Sequence, residues 1–286
     1  MSGFEKTLNG AYEELATLGE KVSLGKTISG RDIWLFRFGT GKKRFLATAG
    51  VHGREWITVL LLAELIKREG KGYAFDCILC LNPDGACLAT DGITSVEERR
   101  REGLIRINGG TDFSMWKANA RGVDVNVNFD ADWGEGKYNK TSPAPSDYIG
   151  KEPESEEETR AAVKAMTYGY PLIVCYHSLG EEVYWGYEHN FRHYGEAKAY
   201  ARHVGYELKR SEHSCGGMKD YYALRYDGLG LTVEVGEETY GHPYPTERKE
   251  ELVKRHTGSI PLLAALGEKI DDGLHGGSAG RREKGF

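Results

Sequence analysis

Three separated residues and one further acid have the side chains that hold a metal ion and activate water. His52 and Glu55 lie three apart in AGVHGREWI, where an apolar run gives way to a helical pattern. At such a strand-to-helix junction this spacing lets an imidazole and a carboxylate converge on one point. His177, in CYHSLGEEVYWGY, ends another apolar run and offers a second imidazole. Zinc takes nitrogen and oxygen donors of this kind, and a catalytic zinc commonly has three protein ligands and a water. Plainer readings exist for each residue. His177 could be a hydrogen-bonded core histidine, and Glu55 a carboxylate stabilised by a helix N-terminus. Glu234 stands inside the apolar run GLTVEVG, and burying a carboxylate is costly unless it has partners or work to do. Taking a proton from metal-activated water and handing it to a leaving amine is such work. The nearby Glu237 and Glu238 follow a glycine and read as solvent-facing.

These residues need elements to position them. Phe4–Leu18 carries apolar residues near a helical period, and Asp32–Phe38 alternates like a strand. Phe45–Val51 suits a short buried strand, with a helix following over Trp56–Glu69. Phe75–Leu81 is another buried-strand candidate, stopped by the turn signal Asn82-Pro83-Asp84-Gly85. Val96–Gly103 reads as a charge-rich helix fragment, Gly134–Gly150 as a polar loop, and Glu154–Tyr168 as a helix with an acidic start. Strands are predicted over Pro171–Tyr176, Val183–Tyr187 and Gly230–Val235, and helices over Phe191–Val204 and Glu247–Ile270. The alternation predicts an α/β fold with one domain over residues 1–270, and a frayed, flexible tail over Asp271–Phe286. His52, His177 and Glu234 then all fall at the ends of buried strands, where open α/β sheets collect ligands.

Composition narrows the function classes. The 286 residues include 38 Lys+Arg and 43 Asp+Glu, a net charge of −5, with 40% hydrophobic and 28% charged residues. That is globular composition rather than that of a disordered chain. A pI near 6.0 lacks the basic footprint of a nucleic-acid binder. No stretch approaches ~18 consecutive apolar residues, so no membrane partner is expected. The segment MSGFEKTLNGAYEEL has no signal-peptide core, and a cytoplasmic setting is expected. The five cysteines, an odd number, suit free thiols in a reducing compartment. Cys77-x-x-Cys80 reads as part of a strand, because no second pair follows at zinc spacing. The Glu97–Glu102 run and the acidic stretch Glu152–Glu158 read as solvated helical faces. His189, His193, His203, His213, His242, His256 and His275 have no partner at ligand spacing.

HGREW, the distant YHS and the late TVEVG together resemble the zinc carboxypeptidase (carboxypeptidase A-like, M14) family over about residues 8–270. GVDVNVNFDADWG, at Gly122–Gly134, resembles that family's GVD-x-NRN-[FW] segment, and the motif order matches. The resemblance implies a mixed, twisted eight-stranded sheet flanked by helices. It implies one zinc ion on His52, Glu55 and His177, with Glu234 as general base. It also places Asn126, the first Asn of the segment, among the substrate-binding residues.

Two departures stand out. Many members carry Arg after that first Asn, gripping the substrate's terminal carboxylate. Here the residue is Val127, which donates no hydrogen bond. Lys117 stands where digestive members polarise the scissile carbonyl with Arg, and it can still bring charge to a developing oxyanion. Asn119 and Arg121 lie close enough in sequence to share that task.

WKANARGVD, YHS-x-GEE-x-YWG and GG-x-KDYY resemble one branch of the family, the bacterial γ-D-glutamyl-L-diamino acid endopeptidases. The implied substrate is a murein peptide, cut between D-Glu and meso-diaminopimelate or Lys. Lys219, beside Asp220 fourteen positions before Glu234 (234 − 220), falls where the family sets side-chain specificity. Tyr184, Trp185, Tyr221 and Tyr222 are cleft candidates, with packing as the competing reading. Gly216-Gly217 suits a mobile or tight loop, or a plain turn. Two other hydrolases stay in view: a metallocarboxypeptidase for ordinary C-terminal residues, and a zinc amidohydrolase of N-acyl amino acids. A metal-stabilised binding module without activity would have no use for Glu234.

Overall fold

The computed structural model describes residues 3–276 except 189, 212 and 213. In chain order the elements are α1 (Gly3–Ala16), β1 (Glu20–Lys26), β2 (Asp32–Phe38), β3 (Leu46–Thr48), α2 (Ile57–Glu69), β4 (Phe75–Ile78), α3 (Pro83–Asp91), α4 (Glu98–Asn108), α5 (Glu157–Met166), β5 (Leu172–His177), β6 (Glu182–Trp185), α6 (Tyr194–Val204), β7 (Glu207–Arg210), α7 (Met218–Arg225), β8 (Leu229–Glu234), α8 (Lys249–His256) and α9 (Ser259–Gly276).

The strands form one eight-stranded mixed sheet in the order β1-β2-β4-β3-β5-β8-β6-β7. Its centre, β4-β3-β5-β8, is parallel. Central parallel strands are covered on both faces and therefore read as continuous apolar runs. β5 shows the consequence of strand alternation. Leu172, Val174 and Tyr176 join the core under α1, α2, α6, α8 and α9, whereas Ile173 and Cys175 join the core under α5 and α7. The same register sets His177 directly beside Glu234 on β8. The C-terminal ends of β3, β5 and β8 thus meet at one edge.

β1, β7 and α7 have no counterpart among the expected elements, and several boundaries differ from expectation. Asn82-Pro83 starts a helix rather than a turn. The Asn82 carboxamide oxygen caps α3 by accepting from Gly85 N at 2.8 Å, and Pro83 occupies the first helical turn, where no amide hydrogen is needed. The single helix predicted over Glu247–Ile270 is broken into α8 and α9 at Gly258, whose φ of +87° leaves the helical region. α9 runs on to Gly276, and Asp271 pairs with Lys42 at 2.5 Å, so the first residues assigned to a tail are helical. Residues 277–286 lie outside the described part.

The acidic stretch Glu152–Glu158 is also not a solvated face. Glu156 and Glu158 are buried, and both accept from Asn119 Nδ2, at 2.7 and 3.2 Å. All five cysteines are free thiols, with Cys77 inside β4. No helix among the described residues is long and apolar enough to cross a membrane.

Candidate metal centre and cleft

After β3 the chain turns outward, and His52 opens a single 3-10 turn over Gly53–Glu55 from an extended conformation (φ −104°, ψ 139°). That geometry puts the His52 and Glu55 side chains on one side. Gly53 is required there, because a Cβ would stand 2.4 Å from Gly85 O and 2.8 Å from Trp116 O. Asn82 ties the same three segments together: its Nδ2 donates to Val51 O and Ala118 O, both at 3.2 Å.

The donor atoms converge. His52 Nδ1 lies 2.9 Å from Glu55 Oε1, His177 Nδ1 lies 3.1 Å from Glu55 Oε2, and the two Nδ1 atoms are 3.2 Å apart. All three side chains are buried. Ligands bound tetrahedrally to zinc at about 2.0–2.1 Å stand roughly 3.3 Å from one another, so the observed spacings fit a shared ion. An uncharged interior has no other use for two imidazole lone pairs and a carboxylate aimed at one point. His52 Nε2 faces Asp124 Oδ1 at 3.2 Å, the outer carboxylate that orients a metal-binding imidazole and raises its basicity. Asp124 also pairs with Lys117 Nζ at 2.8 Å.

The charges follow this layout. Burial pushes the Glu55 and Asp124 carboxyls upward, but His52 and His177 around Glu55, and Lys117 and His52 around Asp124, hold both well below the usual carboxylate range. Burial opposes the charge on His52 and Lys117, and the carboxylates outweigh it, so both are raised. Glu234 behaves in the opposite way. Desolvation raises its carboxyl to about 7, only partly countered by His177.

A cleft of about 400 Å³ opens over Glu234. It is lined by Lys117, Asn126, Val127, Tyr184 and the Lys219–Asp220 pair, and on its outer wall by Lys137 and Tyr138. Lys219 and Asp220 are buried ion-pair partners in the first turn of α7, and Lys219 Nζ also donates to Gly186 O at 2.7 Å. Asn126 Oδ1 accepts from Met218 N at 3.1 Å and so joins the Val127 segment to α7. Gly216 (φ +78°) packs so closely on Val127 that a Cβ would stand 2.6 Å from its carbonyl oxygen. The glycine pair is therefore a tight seam.

Five sequence candidates lie elsewhere. Arg121 does not line the cleft: it pairs with Glu156 at 3.1 Å and with Glu157, fastening its loop to the start of α5. Asn119 is buried in the same anchor, accepting from Arg121 N and Val123 N. Tyr221 packs on Phe129, ring centroids 5.9 Å apart, and Tyr222 is buried and donates to Tyr170 O. Trp185 is likewise a packing residue, bonded to Arg192 O at 3.0 Å. Sequence reasoning passed over Asp124, although it lies inside the GVDVN segment, and over Asn82, read as a turn. It also passed over Lys137, one residue of a polar loop with no local signal. His189 and His213 lie outside the described residues.

Comparison with known proteins agrees with this geometry. The zinc carboxypeptidase family profile (peptidase M14) matches residues 4–227, and the chain belongs to that family. It is accordingly a zinc-dependent metallopeptidase, and His52, Glu55 and His177 form a buried cluster whose donor atoms are close enough to hold a metal ion. γ-D-Glutamyl-L-diamino acid endopeptidase 1 of Lysinibacillus sphaericus is 28% identical over 275 aligned residues, covering 88% of this chain and 68% of that protein. Bovine thrombin-activatable fibrinolysis inhibitor shares the fold with a TM-score of 0.67 at 16% identity, covering 94% of this chain and 96% of that one. The murein-tripeptide amidase of Escherichia coli O157 does so at 0.57 and 21% identity, covering 90% and 94%.

Proposed function

We propose that this metallopeptidase hydrolyses the γ-D-glutamyl amide bond to meso-diaminopimelate in murein-type peptides. The observation that carries the reading is the Lys219–Asp220 pair, buried in the cleft beside Glu234. The far end of diaminopimelate bears an ammonium and a carboxylate on one carbon. A fixed cation and anion side by side complement that zwitterion, whereas a lysine side chain offers only the ammonium. A pair already buried loses little further solvation when such a group replaces its own contacts. The similarity to the Lysinibacillus endopeptidase points to the same substrate class. The five free thiols suit a reducing, cytoplasmic setting.

A zinc ion held by His52, Glu55 and His177 would supply an acidified water and a Lewis acid for the carbonyl. The protein side chains provide the rest. Glu234, ionised, takes the proton and returns it to the departing amine. Lys117, held by Asp124 at 2.8 Å and facing the same cleft, brings positive charge to the carbonyl oxygen as it becomes anionic. Asn126 and Tyr184 line the same cleft, and their role in this reading is to hold the substrate backbone.

The test is mass spectrometry of products from L-Ala-γ-D-Glu-meso-diaminopimelate, with and without chelator, and with Glu234→Gln as control. The expected products are L-Ala-D-Glu, with its γ-carboxylate released, and free diaminopimelate. Cleavage at another bond, or none, counts against the reading. A Lys219→Met, Asp220→Asn double variant removes both charges without stranding one. It should lose the preference for diaminopimelate over lysine peptides, and equal loss on both would refute the zwitterion match.

A further inference from the structure

Among the described residues three cationic side chains line the cleft: Lys117, Lys137 and Lys219. Two already have anions. Lys117 is bonded to Asp124 and has Asp147 at 3.7 Å, and Lys219 is buried against Asp220. Lys137 makes no ion pair or hydrogen bond with any described residue, and its ammonium lies 5.3 Å from the ring centroid of the neighbouring Tyr138. Its wall is fixed rather than loose. Asn139 N donates to Gly136 O at 3.0 Å, closing a turn with Lys137 and Tyr138 at its centre. Behind that turn Lys140 N donates to Asp147 O at 2.8 Å, and Asp147 N donates to Asp124 Oδ2 at 3.1 Å. The turn is thus keyed to the carboxylate that also faces His52. Val127, another residue of the cleft lining, offers an anion nothing.

We propose that Lys137 is the receptor for the substrate's α-carboxylate on the leaving-group side of the scissile bond. The assignment builds on the proposed murein reading, in which Lys219–Asp220 takes the distal zwitterion and leaves the α-carboxylate of the same residue without a partner. An unpaired ammonium on a tethered turn supplies one. It acts as a point charge in partial contact with water, so the preference it confers is modest and screened by salt.

The test compares a substrate ending in a free α-carboxylate with the same substrate as its α-carboxamide. Wild-type protein, Lys137→Ala, Lys137→Arg and Lys137→Glu are assayed, each loaded with zinc. Lys137→Ala should lower the acid-over-amide ratio of kcat/KM about two- to fivefold, through KM rather than kcat. Lys137→Arg should restore the ratio, and Lys137→Glu should invert it. The wild-type ratio should fall as ionic strength rises. An acid-over-amide ratio unchanged in Lys137→Ala overturns the assignment. If the wild-type protein cleaves no γ-D-glutamyl peptide, the murein reading fails, and the same ratio measured on an N-acyl dipeptide and its amide still decides the role of Lys137.

Discussion

Replacing Glu158 with Gln should stabilise the protein, and the gain should depend on pH in a defined way. Glu158 is fully buried at the start of α5. Its Oε2 accepts from Asn119 Nδ2 at 3.2 Å, and its Oε1 has no partner. Desolvation, reinforced by Asp84 and Glu156, raises its carboxyl from 4.5 to about 8. The folded protein therefore keeps the proton at neutral pH while the unfolded chain has released it. Raised above its unfolded value, this acid costs nothing below pH 4.5 and progressively destabilises the fold as pH climbs toward 8. Each pH unit in that window costs about 1.4 kcal/mol, which gives roughly 3 kcal/mol at pH 7 and about 5 kcal/mol once pH passes 8. Glutamine keeps the shape and the acceptor for Asn119 and does not titrate. Urea unfolding of wild type and Glu158→Gln at a series of pH values measures the difference. The variants should have nearly equal stability at the acid end and diverge upward, with the divergence flattening near pH 8. A difference that does not change with pH, or a Gln variant that is less stable at the alkaline end, would refute the account of this buried acid.

Three further outcomes follow from the metal site. His52→Ala and His177→Ala should each lose bound zinc and turnover together, read by metal analysis alongside kinetics; full zinc retention in either would remove that residue from the ligand set. Asp124→Asn removes the charge facing His52 Nε2 and Lys117 Nζ and should weaken zinc binding about 10- to 100-fold in a chelator competition. Unchanged affinity would reduce Asp124 to packing. Glu234→Gln should retain zinc yet lose several orders of magnitude in turnover. In the wild type the base must be ionised, so kcat/KM should rise with pH through the Glu234 carboxyl, whose value of about 7 a nearby dication draws downward. A flat profile between about pH 4.5 and 7 would rule Glu234 out as the base.

Which parts were legible in the sequence follows from the range of the forces involved. His52, His177 and Glu234 could be placed because apolar runs announce buried strands, and a polar residue ending such a run is costly without a task. The order of the strands was not readable from the residues alone, yet the pairing of β5 with β8 is what sets His177 beside Glu234. Asn82 misled because Asn-Pro opens both turns and helices; here its carboxamide caps α3 through Gly85 N and is held by the distant carbonyls of Val51 and Ala118, partners that local sequence does not show. The stretch Glu152–Glu158 misled for the converse reason. Arg121 pairs with Glu156 and Glu157 and Asn119 donates to Glu156 and Glu158, all from more than thirty residues away, and local sequence cannot report such partners. The same reasoning separates the lysines. Lys117, Lys137 and Lys219 are equivalent in one dimension, since each could meet a substrate anion. In three dimensions Asp124 engages Lys117 and Asp220 engages Lys219, so Lys117 is oriented and Lys219 presents itself as half of a cation–anion pair rather than as a lone cation. The cation left without a carboxylate within the described cleft lies on a turn that no periodicity or motif distinguishes. Substrate recognition here was therefore less legible than the metal site, because it depends on which charges the fold has already paired.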